Sequence, residues 1–217
     1  MRIISKIDGL KFGIIHAENV KVCDNDEKFD KIFEELEEQT HLKFANTRPS
    51  ENDIVSHVRR MYRRIGWEPT KYRPSSEALV RRILQGKGFY RINNFVDYGN
   101  LVSAKYHLPL GLYDVDKILG DIVVDVGKAG ESYQGISKPV IHAEGKMILR
   151  DEAGIFGNPT ADSLRTSITD ETTQVLAVFF CPPEVSDEHL KKTLNTLSEY
   201  YLPFCKNKKI DQNIVKN

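Results

Sequence analysis

The chain has 217 residues, with 31 basic and 31 acidic side chains and 40% hydrophobic residues. This composition excludes disordered, collagen-like and disulfide-scaffold classes and leaves one large domain or two closely packed halves. The formal net charge of +0 supplies no global field for unspecific binding to nucleic acid or membrane, so an anionic partner has to meet a local patch.

The longest apolar run, Val175 to Cys181, has seven residues, whereas a membrane-spanning helix needs about 20. Arg2, Lys6, Asp8 and Lys11 interrupt the N-terminus and leave no apolar stretch for a secretory leader. A soluble, cytoplasmic protein is therefore expected. Cys23, Cys181 and Cys205 are odd in number and widely spaced, which reads as reduced structural thiols rather than a zinc or redox pair.

In chain order, Ile3 to Ile7 and Phe12 to Val22 carry the β-branched residues of two strands. Asp24 or Asp26 can cap a first helix, in which Phe29, Ile32, Phe33 and Leu36 recur at helical spacing. A second helix opens at Ser50 or Asn52 and runs to about Trp67, with Ile54, Val58, Met61, Tyr62 and Ile65 on one face and Arg59, Arg60, Arg63 and Arg64 on the other. Ser75 and Ser76 can cap a third helix over residues 77–85, stopped by Gly86 and Gly88. A fourth is expected over residues 95–107. Beyond Pro109, β-rich runs at residues 122–126, 146–149 and 174–180 predict a sheet, and a last helix spans residues 187–201. The end, KNKKIDQNIVKN, reads as a frayed polar tail.

Charge is segregated along the chain. Glu18 to Glu38 holds nine acids and three lysines, whereas Arg59 to Arg91 holds ten basic residues and two acids. Tyr62, Trp67, Tyr72, Phe89 and Tyr90 interleave the basic stretch. That mixture suits phosphate contact and base stacking on RNA, and it equally describes a solvated helix face over core aromatics.

No Walker loop, G-x-G-x-x-G, G-x-S-x-G or H-E-x-x-H occurs in the sequence, which removes the main support for phosphate-loop NTPases, Rossmann enzymes, α/β-hydrolases and zincins. The six histidines form no ligand pattern, so no metal and no cofactor is expected. The polar string Asn158 to Thr173, NPTADSLRTSITDETT, follows the glycine-marked DEAGIFG at residues 151–157. Such a string either lines a site or supplies caps and Asx turns.

The segment INNFVDYGNLVSAKYHLPLGLYD, Ile92 to Asp114, resembles the editing module of the bacterial phenylalanyl-tRNA synthetase beta subunit, with its I-N-N-V-V-D-x-x-N-Y-V and later Q-P-L-H-A-F-D. Ile92, Asn93, Asn94, Val96, Asp97, Asn100, Val102, Pro109, Leu110 and Asp114 coincide with that pattern. Gly130-Glu131, Asp151 with AGIFG, and Ser167-Ile168-Thr169 with Thr172 echo later family motifs in the same order. Arg73 to Leu84, RPSSEALVRRIL, is similar to a segment of stand-alone relatives. On these residues the chain is identified as a member of the tRNA-editing B3/B4 family.

The resemblance implies an α/β fold, a three-layer sandwich with a mixed, sheet-rich core flanked by helices. Residues 1–66 would form N-terminal strands and two helices packed on that core, 67–204 the B3/B4-like domain and 205–217 the tail. It implies a stand-alone domain that hydrolyses a mischarged aminoacyl-tRNA in trans, or alternatively a module that binds tRNA or an amino acid without turnover. The partner would be the aminoacylated 3′ end of a tRNA, with no membrane and no DNA. The pocket would comprise Asn94, Pro109, Leu110, Gly111, Gly154, Gly157, Arg165, Thr166, Ser167 and Thr169, with Arg63, Arg64, Arg81 and Arg82 on RNA; no residue is assigned a catalytic role. The family histidine of P-L-H-A aligns with Gly111, and the glutamate that receives a tyrosine hydroxyl aligns with Leu176. Specificity for tyrosine is therefore not implied.

Overall fold

A computed structural model describes residues 1–24 and 26–216. In chain order the elements are β1 (Ile3–Ser5), β2 (Lys11–Glu18), α1 (Glu27–Lys43), α2 (Asp53–Arg64), α3 (Ser75–Leu84), α4 (Asn94–Tyr106), β3 (Leu110–Asp114), β4 (Ile122–Val126), β5 (Ser132–Tyr133), β6 (Ile141–His142), β7 (Met147–Asp151), β8 (Gly154–Asn158), β9 (Ala161–Asp162), β10 (Gln174–Cys181), α5 (Asp187–Tyr201) and β11 (Ile210–Lys216).

Two sheets form the core, one ordered β1-β4-β7-β8-β9 and the other β11-β2-β10-β3, with a small β5-β6 ribbon beside them. The first is mixed, because β1 runs parallel to β4 while the other pairs are antiparallel. Alternation along β3 sets the layers. A Cβ on Gly99 of α4 would touch Leu110 and Leu112, whereas the Tyr113 ring packs edge-on against Phe156 of β8 at 4.9 Å. One face of the β3 sheet thus meets helices and the other meets the second sheet. Helix α5 covers β2 in the same way, with Leu190 and Leu194 seated on Gly13. The architecture is a mixed α/β three-layer sandwich: helices, four-stranded sheet, five-stranded sheet.

Several expectations need correcting. The tail is not frayed, because Ile210 to Lys216 pairs antiparallel with Lys11 to Ala17. Ile214 and Val215 are half-buried against the core, and β11 satisfies backbone groups that β2 would otherwise present at an open edge. Helix α3 has Pro74 at its N-cap and no side-chain cap; Ser76 instead donates to the carbonyl of His107 at 3.1 Å. Residues 1–66 supply a strand to each sheet as well as α1 and α2. Helices α1, α2 and α4 open on Asp26, Asn52 and Asn93 respectively, where a short side-chain oxygen can accept an otherwise unpaired N–H.

Candidate functional site

The edge strands β3 and β9 meet where the two sheets join. The antiparallel pairing of β3 with β10 leaves alternate N–H groups of β3 facing outward, and two of these find partners across the seam. Leu112 N–H donates to Asp162 Oδ2 at 3.2 Å, and Asp114 N–H donates to the Thr166 carbonyl at 2.9 Å.

A cleft of about 610 Å³ opens at this seam, within the size range of ligand sites. Its wall draws on residues 67–75 between α2 and α3, Asn100 of α4, Leu110, the 135–146 segment and residues 158–162. Lys71, Arg73, Lys138 and Lys146 bring positive charge to it, against the single carboxyl of Asp162. Burial pushes the pKa of that carboxyl up to about 7, opposed by Tyr113 and the Leu112 N–H. Burial likewise pushes the Tyr113 hydroxyl up, with Asp162 adding to the effect.

Four enclosed polar atoms in and beneath this wall complete no hydrogen bond of normal geometry: Trp67 Nε1, Ser75 Oγ, Asp162 Oδ1 and Tyr113 Oη. Tyr113 and Asp162 face each other closely enough that the hydroxyl, as a hydrogen-bond partner, lowers the pKa of the carboxyl and has its own raised in return. Unsatisfied buried polar groups are rare and costly; Trp67 Nε1 and Ser75 Oγ stand in the wall of this cavity, whereas His107 Nδ1 and Arg150 Nε lie away from it.

Of the expected pocket residues, Leu110 lines the cleft. Gly111 and Gly157 converge beneath it, because a Cβ on either would stand 2.1 or 2.5 Å from Tyr113 Oη. Pro109 accepts the Phe180 N–H at 2.9 Å. The others do not line it, and their polar groups hold the backbone instead. Asn94 accepts from Cys23 N–H at 3.0 Å and donates to the Lys21 carbonyl at 3.1 Å. Arg165 grips Asp151 through both terminal nitrogens, at 3.0 and 2.8 Å, and donates to the carbonyls of Lys117 and Gly154. Thr166 pairs with Ser163, Ser167 donates to the Leu164 carbonyl, and the Thr169 N–H donates to Thr172, whose hydroxyl donates to Asp114 at 2.8 Å. Most of these motif residues maintain a fold.

The basic stretch is partly committed as well. Glu77 is fully buried and accepts from Arg59 Nη1 at 2.8 Å and Arg81 Nε at 2.9 Å, with Arg73 Nε at 3.9 Å. Arg82 donates to the Gly88 carbonyl at 3.0 Å and lies over Tyr90. Arg64 pairs with Glu184 at 2.7 Å; Arg63 is exposed.

Trp67, Tyr72, Ser75, Lys138, Lys146 and Asp162 escape a reading for pocket residues. Trp67 and Tyr72 carry a signal as aromatics among arginines, and Asp162 as part of the polar string. Lys138 and Lys146 carry none, since only the fold brings them to the cleft.

Elsewhere, single ligand atoms of His16, Glu18 and Asp211 lie within 4.8 Å of one another. Glu18 already pairs with Lys209 at 2.8 Å and His16 with Gln174 at 3.0 Å, and nothing further there points to an ion. No helix among the described residues is long and apolar enough to cross a membrane.

A family profile described as "B3/4 domain" matches residues 57–217. The phenylalanine--tRNA ligase beta subunit of Fusobacterium nucleatum is 28% identical over 138 residues, 58% of this chain and 16% of the relative. That of Psychrobacter arcticus is 31% identical over 129 residues, 55% of this chain and 15% of the relative. The chain thus spans about a sixth of the synthetase subunits it matches. An uncharacterized protein, YhzB of Bacillus subtilis, is 18% identical over 199 residues, 92% of this chain and 89% of the relative. Among solved structures, an N-terminal fragment of the phenylalanyl-tRNA synthetase beta subunit from Pyrococcus horikoshii aligns with a TM-score of 0.44 and 14% identity, covering 99% of this chain and 50% of the fragment.

Proposed function

Because the chain belongs to the B3/4 domain family, we propose that it acts on the aminoacylated 3′ end of a tRNA and hydrolyses a wrongly attached amino acid in trans. The observation that supports this reading is the cleft at the sheet seam, which combines a cationic rim, an exposed aromatic and unpaired polar groups in one cavity. An RNA end carries phosphates for the rim, a base for the aromatic and an ester for the interior.

The reaction requires no covalent nucleophile. An aminoacyl ester is already activated, so a water held in line with its carbonyl and oriented by a terminal ribose hydroxyl is sufficient. The protein's contribution is positioning. Asp162, with its carboxyl near neutrality, keeps β3 and β9 in register at the floor and limits negative charge where an RNA end would lie.

A second reading, binding without turnover, is favoured by a separate observation. Arg165 and the hydroxyls of Thr166, Ser167 and Thr172 are engaged in the fold, and Gly111 and Leu176 stand where the family carries a histidine and a glutamate. Deacylation of a panel of mischarged tRNAs separates the two. Hydrolysis of at least one ester above the buffer rate supports editing; saturable binding with no hydrolysis of any supports the binding module.

A further inference from the structure

We propose that Tyr72 is the platform on which the terminal nucleobase of a single-stranded RNA 3′ end stacks, with Lys71, Arg73, Lys138 and Lys146 meeting the phosphates behind it. The proposal rests on the tRNA reading above and gives that site its first contact with the ligand.

An aromatic column runs from the core to the cleft. Tyr62 is fully buried and meets Trp67 at 5.1 Å; Trp67, 2% exposed, meets Tyr72 at 6.1 Å. Tyr72 ends the column at the cleft, 36% exposed. A ring braced from the core outward is held in place before any ligand arrives, which lowers the ordering cost of stacking. Lys146 Nζ lies over the Tyr72 ring at 4.9 Å from its centroid and Lys71 Nζ at 5.4 Å, so an incoming base displaces an ammonium from the ring face toward its own phosphate. Ammonium groups are thus already gathered at the platform. Ile136 and Val140, which line the same cleft, are 58% and 51% exposed and add apolar surface to it.

This combination of a stacking ring and a cationic track is how proteins hold single strands without reading their sequence. A duplex offers no free base face to the ring, and an acidic peptide offers charge without a flat partner. The cleft's about 610 Å³ accommodates a nucleoside with its phosphate on the usual scale of ligand sites.

The test uses an RNA hairpin with a four-nucleotide 3′ overhang ending in 2-aminopurine, whose fluorescence falls when it stacks. The wild-type protein is expected to quench it and to bind the overhang hairpin more tightly than a blunt one. With the 2-aminopurine moved into the stem, no change is expected. Tyr72→Ala should weaken binding about 5- to 150-fold, the range for loss of one base–aromatic stack, and should abolish quenching, while Tyr72→Phe retains both. Wild-type quenching that survives Tyr72→Ala would overturn the proposal and leave the tRNA reading standing, as would binding of the overhang by wild type without quenching. Absence of binding to any RNA would overturn both. Displacement of the overhang by adenosine monophosphate or by polyglutamate at matching concentration would overturn the choice of an RNA end. Binding of the overhang by wild type without quenching overturns the proposal whether or not Tyr72→Ala folds, and Tyr72→Leu, which keeps an apolar side chain at the end of the column, gives the same readout should Tyr72→Ala not fold.

Discussion

The hydroxyl of Tyr113 lies so close to Gly157 of β8 that a Cβ there would stand 2.5 Å from it, and the same hydroxyl closes on Gly111, two residues earlier in its own strand. Two of the three glycines named from the sequence as pocket residues are therefore required by an internal tyrosine. Gly157→Ala is expected to cost about 1 to 3 kcal/mol through overpacking of a fully buried ring. Tyr113→Phe in the same chain should recover part of the loss, since the closest contact is the hydroxyl. Urea unfolding of the single and double variants checks this.

Glu77 is the hub of the basic stretch. Glu77→Gln leaves Arg59, Arg73 and Arg81 without their shared carboxylate and should cost up to about 3 kcal/mol, the lower end for a broken buried pair, because the arginines keep contact with water. Arg73→Gln, farther away and half-exposed, should change stability by less than about 1 kcal/mol. Denaturant midpoints of the two variants give the comparison.

Two buried groups titrate with opposite sign. His107 accepts from Lys43 at 2.7 Å and also faces His189; burial lowers its pKa to about 3, and both neighbours add to the effect. The unfolded chain takes up that proton below its ordinary value near 6.5, so His107 contributes stability above that pH and loses it as pH falls toward 3. Asp162, facing Tyr113, Tyr133 and the Leu112 N–H, is raised to about 7 from an ordinary 3.8. Its contribution is present below 3.8 and is lost as pH rises toward 7. Each window spans roughly three pH units, on the order of 4 kcal/mol at about 1.4 kcal/mol per unit. Between about pH 4 and 6.5 the two largely offset. The Tm of Asp162→Asn should therefore rise with pH across that range, and that of His107→Gln should fall, relative to the wild type.

Salt dependence separates the two basic surfaces. Changing Lys71, Lys138 and Lys146 together to Gln should flatten the slope of log affinity for single-stranded RNA against log salt by up to about two units, at about 0.7 per phosphate contact. Arg63 and Arg64, exposed at the end of α2, can be changed to Gln with less than about 1 kcal/mol lost. A slope reduced by about 1.4 in that pair would extend the footprint across α2. Arg81→Gln is not equivalent, because it also strips a partner from buried Glu77.

Among the described residues, four of the five helices are legible in the sequence as an apolar stripe joined to a polar cap, which Asn93 provides for α4 and Asp26 for α1, whereas α3, which has no side-chain cap, is legible by its stripe and by the glycines that follow it. Strand β10 is legible as an unbroken apolar run. Strand β3 is not, because LGLYD places Leu110 and Leu112 on helices and Gly111 and Tyr113 on a second sheet, which erases polar alternation. β11 hides behind its polar residues, and only its pairing with β2 orders it. The site is the least legible part. Its wall comes from segments around residues 67–75, 110, 135–146 and 158–162, joined only by the fold, whereas the most conspicuous motif residues, Asn94, Asp97 and Asp114 among them, tie down turns and helix starts.

The most direct test of the central claim is the structure of the protein bound to an oligonucleotide ending in a 3′-aminoacylamino adenosine, whose amide resists hydrolysis. The terminal base is expected against Tyr72, its phosphates near Lys71 and Lys146, and the aminoacyl group directed toward Leu110 and the seam of β3 with β9. Occupancy of another surface, or an empty cleft at saturating ligand, would contradict that claim.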